Sequence, residues 1–258
     1  MREDIAGRGD PIRTLQLLWG GATAPRRGPK PKVMLGDIVA AAVAIADKEG
    51  LDAVSTRRVA EAVGISPMSF YTHVPGKAEL LDLMLDAVAG WDGDERPVFE
   101  PANWRENLTF IAKGLWDFYL GHPWVLELAT HRPVLGPKTM EAYEVALSAV
   151  DGLGLSEMEM DRTFTLIANY VYGAVRDAAR ETMVKELTGM TDDEWWLRIL
   201  PFLETVDFSA YPTAQRVGPV VGAEQGAHDP HGAFKFGLSC VLDGLAGLIE
   251  ARRAATAS

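Results

Sequence analysis

Ser55-Thr-Arg-Arg-Val-Ala-Glu-Ala-Val-Gly-Ile-Ser-Pro-Met-Ser-Phe-Tyr-Thr-His-Val-Pro-Gly-Lys77 reads as two short helices joined by a tight turn. Ser55 is placed to cap the first helix, whose buried stripe is Val59, Ala60 and Val63. Gly64 stands where a left-handed backbone must end that helix. Ser66 caps a second helix with Pro67 at its first position, where a missing N–H costs nothing. Pro75-Gly76 then stops it after about two turns. Two short helices crossing through a turn with a central Gly are the helix-turn-helix signature, and such a unit presents its second helix to the DNA major groove.

The side chains of the second helix suit that placement. Pro67, Met68 and Ser69 occupy its exposed amino-terminal end. Pro67 and Met68 can pack on thymine methyl groups, and Ser69 can hydrogen-bond a base or a phosphate. Tyr71, Thr72 and His73 lie further along the DNA side, whereas Phe70 and Val74, four apart, are expected to face inward. The helix carries no Arg or Lys, so base readout has to lean on a cation elsewhere, on apolar contacts and on DNA shape. Arg58 is expected to be solvated or paired within the chain rather than to contact DNA.

The wider segment from Val39 to Leu85 resembles the amino-terminal domain of the tetracycline-repressor (TetR) family of bacterial transcription regulators. The resemblance rests on Ile38-Val-Ala-Ala-Ala-Val-Ala-Ile-Ala-Asp-Lys-Glu-Gly50, on Ser55-Thr-Arg-Arg-Val-Ala, on Gly64-Ile-Ser, and on Phe70-Tyr-Thr-His-Val74 followed by Lys77 and Glu79-Leu80-Leu81. It covers about a fifth of the chain. It implies a phosphate contact at Thr56, a guanine-reaching side chain at Arg57 and a phosphate contact at Lys77. It also implies a carboxy-terminal domain that forms a homodimer through a helical bundle and encloses a small-molecule pocket, whose occupancy changes the spacing of the two heads on double-stranded DNA. The stretch Phe234 to Ile249 resembles the final dimerisation helix of that family.

Composition sets the outer bounds. The chain has 258 residues, 48% of them apolar, which is enough for a substantial core. Its net charge is −11, yet residues 1–80 hold 11 Lys+Arg against 9 Asp+Glu while residues 81–258 hold 14 against 27. A mildly basic front on an acidic body suits a protein that meets phosphate with one end only. The one cysteine, Cys240, cannot form an internal disulfide, which points to a reducing, cytoplasmic setting. No signal sequence is read, and no apolar run reaches the roughly 18–20 residues that span a bilayer, so no membrane partner is expected.

Three domains are read along the chain: an extension over 1–33, a DNA-binding domain over 34–90 and a ligand-binding and dimerisation domain over 91–258. The extension holds a possible short helix near Ile12 to Trp19, then a basic arm. There Arg26, Arg27 and Lys30 could lie in the minor groove or along phosphates, or form a solvated linker. Trp91 to Pro101 reads as a hinge. Helices are expected at 103–120, near 123–130, and at 137–150, 156–187, 192–206 and 231–252, with a long mobile loop at 208–230. The fold class is all-α: an N-terminal helix-turn-helix three-helix bundle and a larger helical C-terminal domain.

In the body, Gly237, Ser239, Gly244 and Gly247 mark a helix built for close approach. The 156–187 helix is apolar on more than one side. Candidate effector contacts are Trp116, Tyr119, Trp124, Asn169, Tyr172, Arg176 and Phe202, an aromatic-rich set suited to a planar or hydrophobic ligand. No nucleophile elbow, phosphate loop or zinc framework is present, and no cofactor is expected. His228 and His231 have metal-like spacing but no further ligands beside them. A ligand-independent DNA-binding protein, or a helical enzyme with an incidental helix-turn-helix, are the competing readings.

Overall fold

The structure, a computed structural model, describes residues 7–20, 33–90, 96–128 and 132–256. Every regular element among the described residues is helical. The head is built from α1 (Pro11–Gly20), α2 (Leu35–Glu49), α3 (Thr56–Ala62), α4 (Pro67–His73) and α5 (Lys77–Ala89). Ile38, Ala42, Leu51, Val59, Phe70, Val74, Leu80 and Met84, each at most 1% exposed, form its core. Ile38 and Ala42, Phe70 and Val74, and Leu80 and Met84 are four apart and so share a face, while α5 is buried all round from Glu79 to Asp86. Helix α1 is the short helix expected in the extension. It packs on α5, with Thr14 buried and Leu17 and Leu18 against the head core.

The body is organised by α6 (Trp104–Gly121), α7 (Pro137–Ser148), α8 (Glu157–Thr188) and α11 (Pro230–Thr256). Leu108, Ala112 and Trp116 of α6 meet Ile167, Val171 and Val175 of α8 and Phe234, Leu238, Leu242, Leu245 and Ile249 of α11. Burying each of the larger aliphatic side chains contributes about 1.5–3 kcal/mol, so this three-helix seam is the main stabilising element of the body. A 3₁₀ turn at Pro123–Glu127 follows α6 and packs back onto the head.

Two expectations need correction. Residues 208–230 are not a long loop, because α10 (Pro212–Gln225) occupies most of that stretch and lies against Trp196 of α9 (Asp192–Leu203). Gly218, Pro219 and Gly222 hid the helix, and almost all of α10 is exposed, so no apolar stripe advertised it. Gly222 is required by close approach, since a Cβ there would stand 2.2 Å from the Trp196 ring. In addition, Pro230–Ala254 is long and apolar enough to cross a membrane by length and composition. Its Leu and Ile residues are buried against α6 and α8, however, and its other face carries Asp243 and exposed Glu250.

The far end of the seam is tied by Arg252 of α11, whose Nε donates to Glu159 Oε1 at 2.8 Å. Glu159 also accepts from the Ser156 backbone and hydroxyl as part of the α8 capping box. Arg252, and then the Ser156 bonds, hold the Glu159 carboxyl down at about 2. A depressed acid stabilises the fold fully above its unfolded value of 4.5 and loses that contribution as pH falls toward 2. Arg252→Gln is therefore expected to lower the thermal midpoint at pH 6, and the gap to the parent should close between pH 4.5 and 2. A gap that stays constant over that window would remove the pair from the account.

Candidate nucleic-acid interface and the body behind it

The reading head is assembled by local hydrogen bonds. Ser55 Oγ accepts the Arg58 N–H at 3.2 Å and starts α3. Gly64 takes φ +70° and lets Ile65 N–H return to the Ala60 carbonyl at 3.0 Å. Ser66 Oγ accepts the Ser69 N–H at 3.1 Å, with Pro67 at the first position of α4. Phe70 and Val74 are fully buried, and this anchors α4 by one face and leaves Pro67, Met68, Tyr71 and Thr72 exposed on the other. Met68 is 78% exposed at the amino-terminal turn of α4.

The polar candidates are partly engaged already. Tyr71 OH lies 3.2 Å from Thr56 Oγ1, which links α4 to the start of α3, and its ring meets Phe70 edge-on at 5.7 Å. The expected phosphate contact Thr56 and the DNA-side Tyr71 are thus set in one cluster. Thr72 Oγ1 donates to the Ser69 carbonyl at 2.7 Å and keeps its lone pairs for acceptance only. Ser69, His73 and Lys77 are half-buried, Lys77 at the first position of α5. Arg57 is exposed and rests on Glu61 at 3.1 Å, an i,i+4 pair that water screens and DNA can replace. Arg58 is bonded to Glu49 on α2 at 2.5 Å and holds that carboxyl below its usual range, so of its two expected states it takes the internal pair. Arg26, Arg27 and Lys30 lie outside the described residues.

Among the described residues, two sets of long-range bonds tie α2 and α5 of the head to the body, and the sequence did not reveal them. In the first, Asp47 Oδ1 on α2 accepts Trp124 Nε1–H at 2.6 Å and lies 2.7 Å from His122 Nδ1. In the second, Asp86 Oδ1 on α5 accepts both the backbone N–H and the hydroxyl of Thr139 at 2.9 Å, so a head carboxylate caps the first turn of α7. Gly136 permits this, because a Cβ there would stand 2.1 Å from Asp86 Oδ1. Asp82, one turn back, is 2% exposed and accepts the Gly7 N–H at 2.7 Å, while burial pushes its carboxyl up. Acids inside an otherwise apolar helix were the available signal, since buried carboxylates need named partners.

The predicted effector residues separate into three groups. Tyr119 and Tyr172 meet edge-on at 5.7 Å, with Arg176 5.8 Å over the Tyr172 ring. Burial, helped by Tyr172, pushes the Tyr119 phenol up to about 12. Trp116 is buried nearby in the same seam, 4.4 Å from the Phe234 ring and 5.1 Å from His231. Trp124 is 1% exposed and belongs to the head–body joint, while Asn169 and Phe202 stand exposed on α8 and α9. Clefts of about 300 Å³, beside Asp177, Arg180 and His228, and of about 600 Å³, between α1, α2 and α5, are lined by none of the seven. His228 and His231 engage different partners, Asp177 at 3.6 Å and the Trp116 ring.

Residues 38–84 match the sequence profile of "Bacterial regulatory proteins, tetR family", and residues 97–249 match that of the "Tetracyclin repressor-like, C-terminal domain". The chain belongs to the TetR family. It is similar over 98% of its length, at 40% identity, to the HTH-type transcriptional repressor DrrR1 of Streptomyces coeruleorubidus, 92% of which is covered. Among solved structures, the TetR-family protein ActR of Streptomyces coelicolor in complex with actinorhodin superposes with a TM-score of 0.68 at 26% identity, covering 83% of this chain and 96% of that one. ActR in complex with (S)-DNPA gives 0.66 at 27%, covering 84% and 99%. As a TetR-family member the chain is a DNA-binding regulator of the ligand-responsive kind and not an enzyme.

Proposed function

We propose that this TetR-family chain is a homodimeric repressor that leaves a palindromic operator when a hydrophobic or aromatic effector enters its body. The observation that carries the DNA half is the exposed amino-terminal turn of α4, held outward by buried Phe70 and Val74. The relative named a repressor over nearly the same length supports the sign of regulation. The dimer is supported by the free side of the α8–α11 pair. A Cβ at Gly244 or Gly247 would meet nothing within 4 Å, and Phe236 is 75% exposed, whereas Gly237 is occupied by Tyr170 of its own chain. Helices α9 and α10 add exposed Trp195, Leu197, Phe202 and Val220, a patch that a second copy would cover.

Effector capture is assigned to Tyr119, Tyr172 and Arg176 with Trp116 behind them, where aromatic faces and one cation converge. ActR, whose fold this chain shares, is known in complex with actinorhodin and with (S)-DNPA. The coupling follows from two head orientations that bind DNA and effector with different affinities.

The deciding experiment is binding of genomic fragments by the purified protein, read by sequencing at several salt concentrations. An inverted repeat with half-sites about one helical turn apart, and a steep salt slope, is expected. Tyr71→Ala and Lys77→Ala should each weaken retention across sequences with fold and dimer intact. Lys77→Ala should also flatten the salt slope by roughly two for the dimer, because one phosphate at each of two heads is no longer neutralised. Sequence-indifferent retention, or unaltered affinity in both variants, would overturn the reading.

A further inference from the structure

Helix α1 lies ahead of the matched DNA-binding profile, which begins at residue 38. The 98% alignment with the Streptomyces coeruleorubidus repressor nevertheless runs through it. The segment leading into α1 is bonded to α5 of the head, with Gly7 also beside Arg132, and the last turn of α1 reaches the segment just before α7. At the start, the Gly7 N–H donates to Asp82 of α5 at 2.7 Å, and Gly9 lies so close to Glu79 that a Cβ would stand 2.6 Å from its carboxylate. At the finish, Trp19 Nε1–H donates to the Leu135 carbonyl at 2.8 Å, one residue before the Gly136 cap of α7. Between them Thr14 is buried and Leu17 and Leu18 pack on the head core.

The carbonyl at Leu135 is a body attachment. Helix α7 is fixed at its far end by Val145, Ala146 and Ala149, which pack with Ile111 of α6. Its near end is held by the Asp86–Thr139 bonds from the head. Helix α1 therefore runs in parallel with the direct α5–α7 joint, crossing the same boundary with a second set of bonds. A ten-residue helix, about 15 Å long, packed on α5 and bonded to Leu135 from its last turn adds resistance to rotation at the α5–α7 joint.

We infer that α1 is a clasp that locks the α5–α7 joint and so sets how freely the reading head turns on the body. The Trp19 bond is the weaker end, because Trp19 is 52% exposed whereas Asp82 is buried. Opening the clasp there leaves α1 on α5 and frees the joint. Its consequence for operator release rests on the regulator reading above; the mechanical role does not, and its test uses neither DNA nor effector.

The test is amide hydrogen exchange in the full chain, comparing the parent with Trp19→Phe and with Asp82→Ala. Trp19→Phe keeps the aromatic bulk and removes only the indole N–H. Both variants are expected to raise exchange at Thr139 and in the first turn of α7 by roughly 2- to 10-fold, the factor that one missing hydrogen bond gives. Helices α8 and α11, which lie across the body from α1, should exchange as in the parent. Faster exchange confined to α1, an unchanged Thr139 amide in both variants, or equal acceleration in every helix would each overturn the clasp. A chain that fails to find an operator but shows the Thr139 effect would fail the regulator reading alone.

Discussion

Trp124→Ala is expected to destabilise the protein by about 3–5 kcal/mol, the range for removing a fully buried aromatic side chain. Trp124 is 1% exposed, sits against the head core although it follows α6 of the body, and supplies the indole N–H to Asp47. Its loss opens a cavity at the joint and leaves a partly buried carboxylate with one donor fewer. Trp124→Phe separates the two effects: most of the volume remains, and the loss should shrink to about 1–3 kcal/mol for one hydrogen bond to a carboxylate that keeps His122 beside it. Urea unfolding of both variants measures this. If Trp124→Ala lay within about 0.5 kcal/mol of the parent, the range of ordinary surface substitutions, the joint would not be the structural link described here.

The second large effect concerns DNA. Arg57→Ala should weaken binding to the selected operator by about 1–3 kcal/mol per half-site, and so by roughly 2–6 kcal/mol when two heads bind additively. The size follows from the composition of α4, which offers no Arg or Lys to a base edge. Arg57 must first leave Glu61, but that exposed pair costs little to break, so most of the base contact survives as net affinity. Repeating the fragment selection with the variant should relax preference at one base pair in each half-site. Thr56→Ala, removing a phosphate-side hydroxyl, should instead weaken all sequences alike. An Arg57→Ala selection that returned the parent motif at parent affinity would move base readout onto α4 and DNA shape.

The head was legible to within a residue or two because its punctuation is local. Ser55 and Ser66 cap amides three residues on, Gly64 takes the left-handed backbone and Pro67 opens α4, each in the role its chemistry dictates. The 208–230 stretch was misread for the converse reason. Helix α10 buries almost nothing in its own chain, so its residues carry no stripe, and its Gly and Pro mimic a loop. The stripe of small residues in α11 was visible as such, yet its division could not be. Gly237 faces Tyr170 while Gly244 and Gly247 face open space, a difference set by how α8 lies beside it.

The candidate effector residues show the same limit. Aromatic content pointed to Trp116, Tyr119, Trp124, Tyr172 and Phe202 equally, but packing gave them different neighbourhoods: a seam, a tyrosine pair, a head–body joint and an exposed helix face. By itself the sequence determined the all-helical class, the reading head and its orientation, since helix caps, turns and apolar periodicity are settled by residues within a turn or two of one another. Only the tertiary structure decided how the head is held. Asp47 with Trp124, Asp86 with Thr139 and Trp19 with Leu135 are separated by 77, 53 and 116 positions, and no local rule relates them. Their bonds exist because the packed core of each domain brings a donor and an acceptor to the shared boundary.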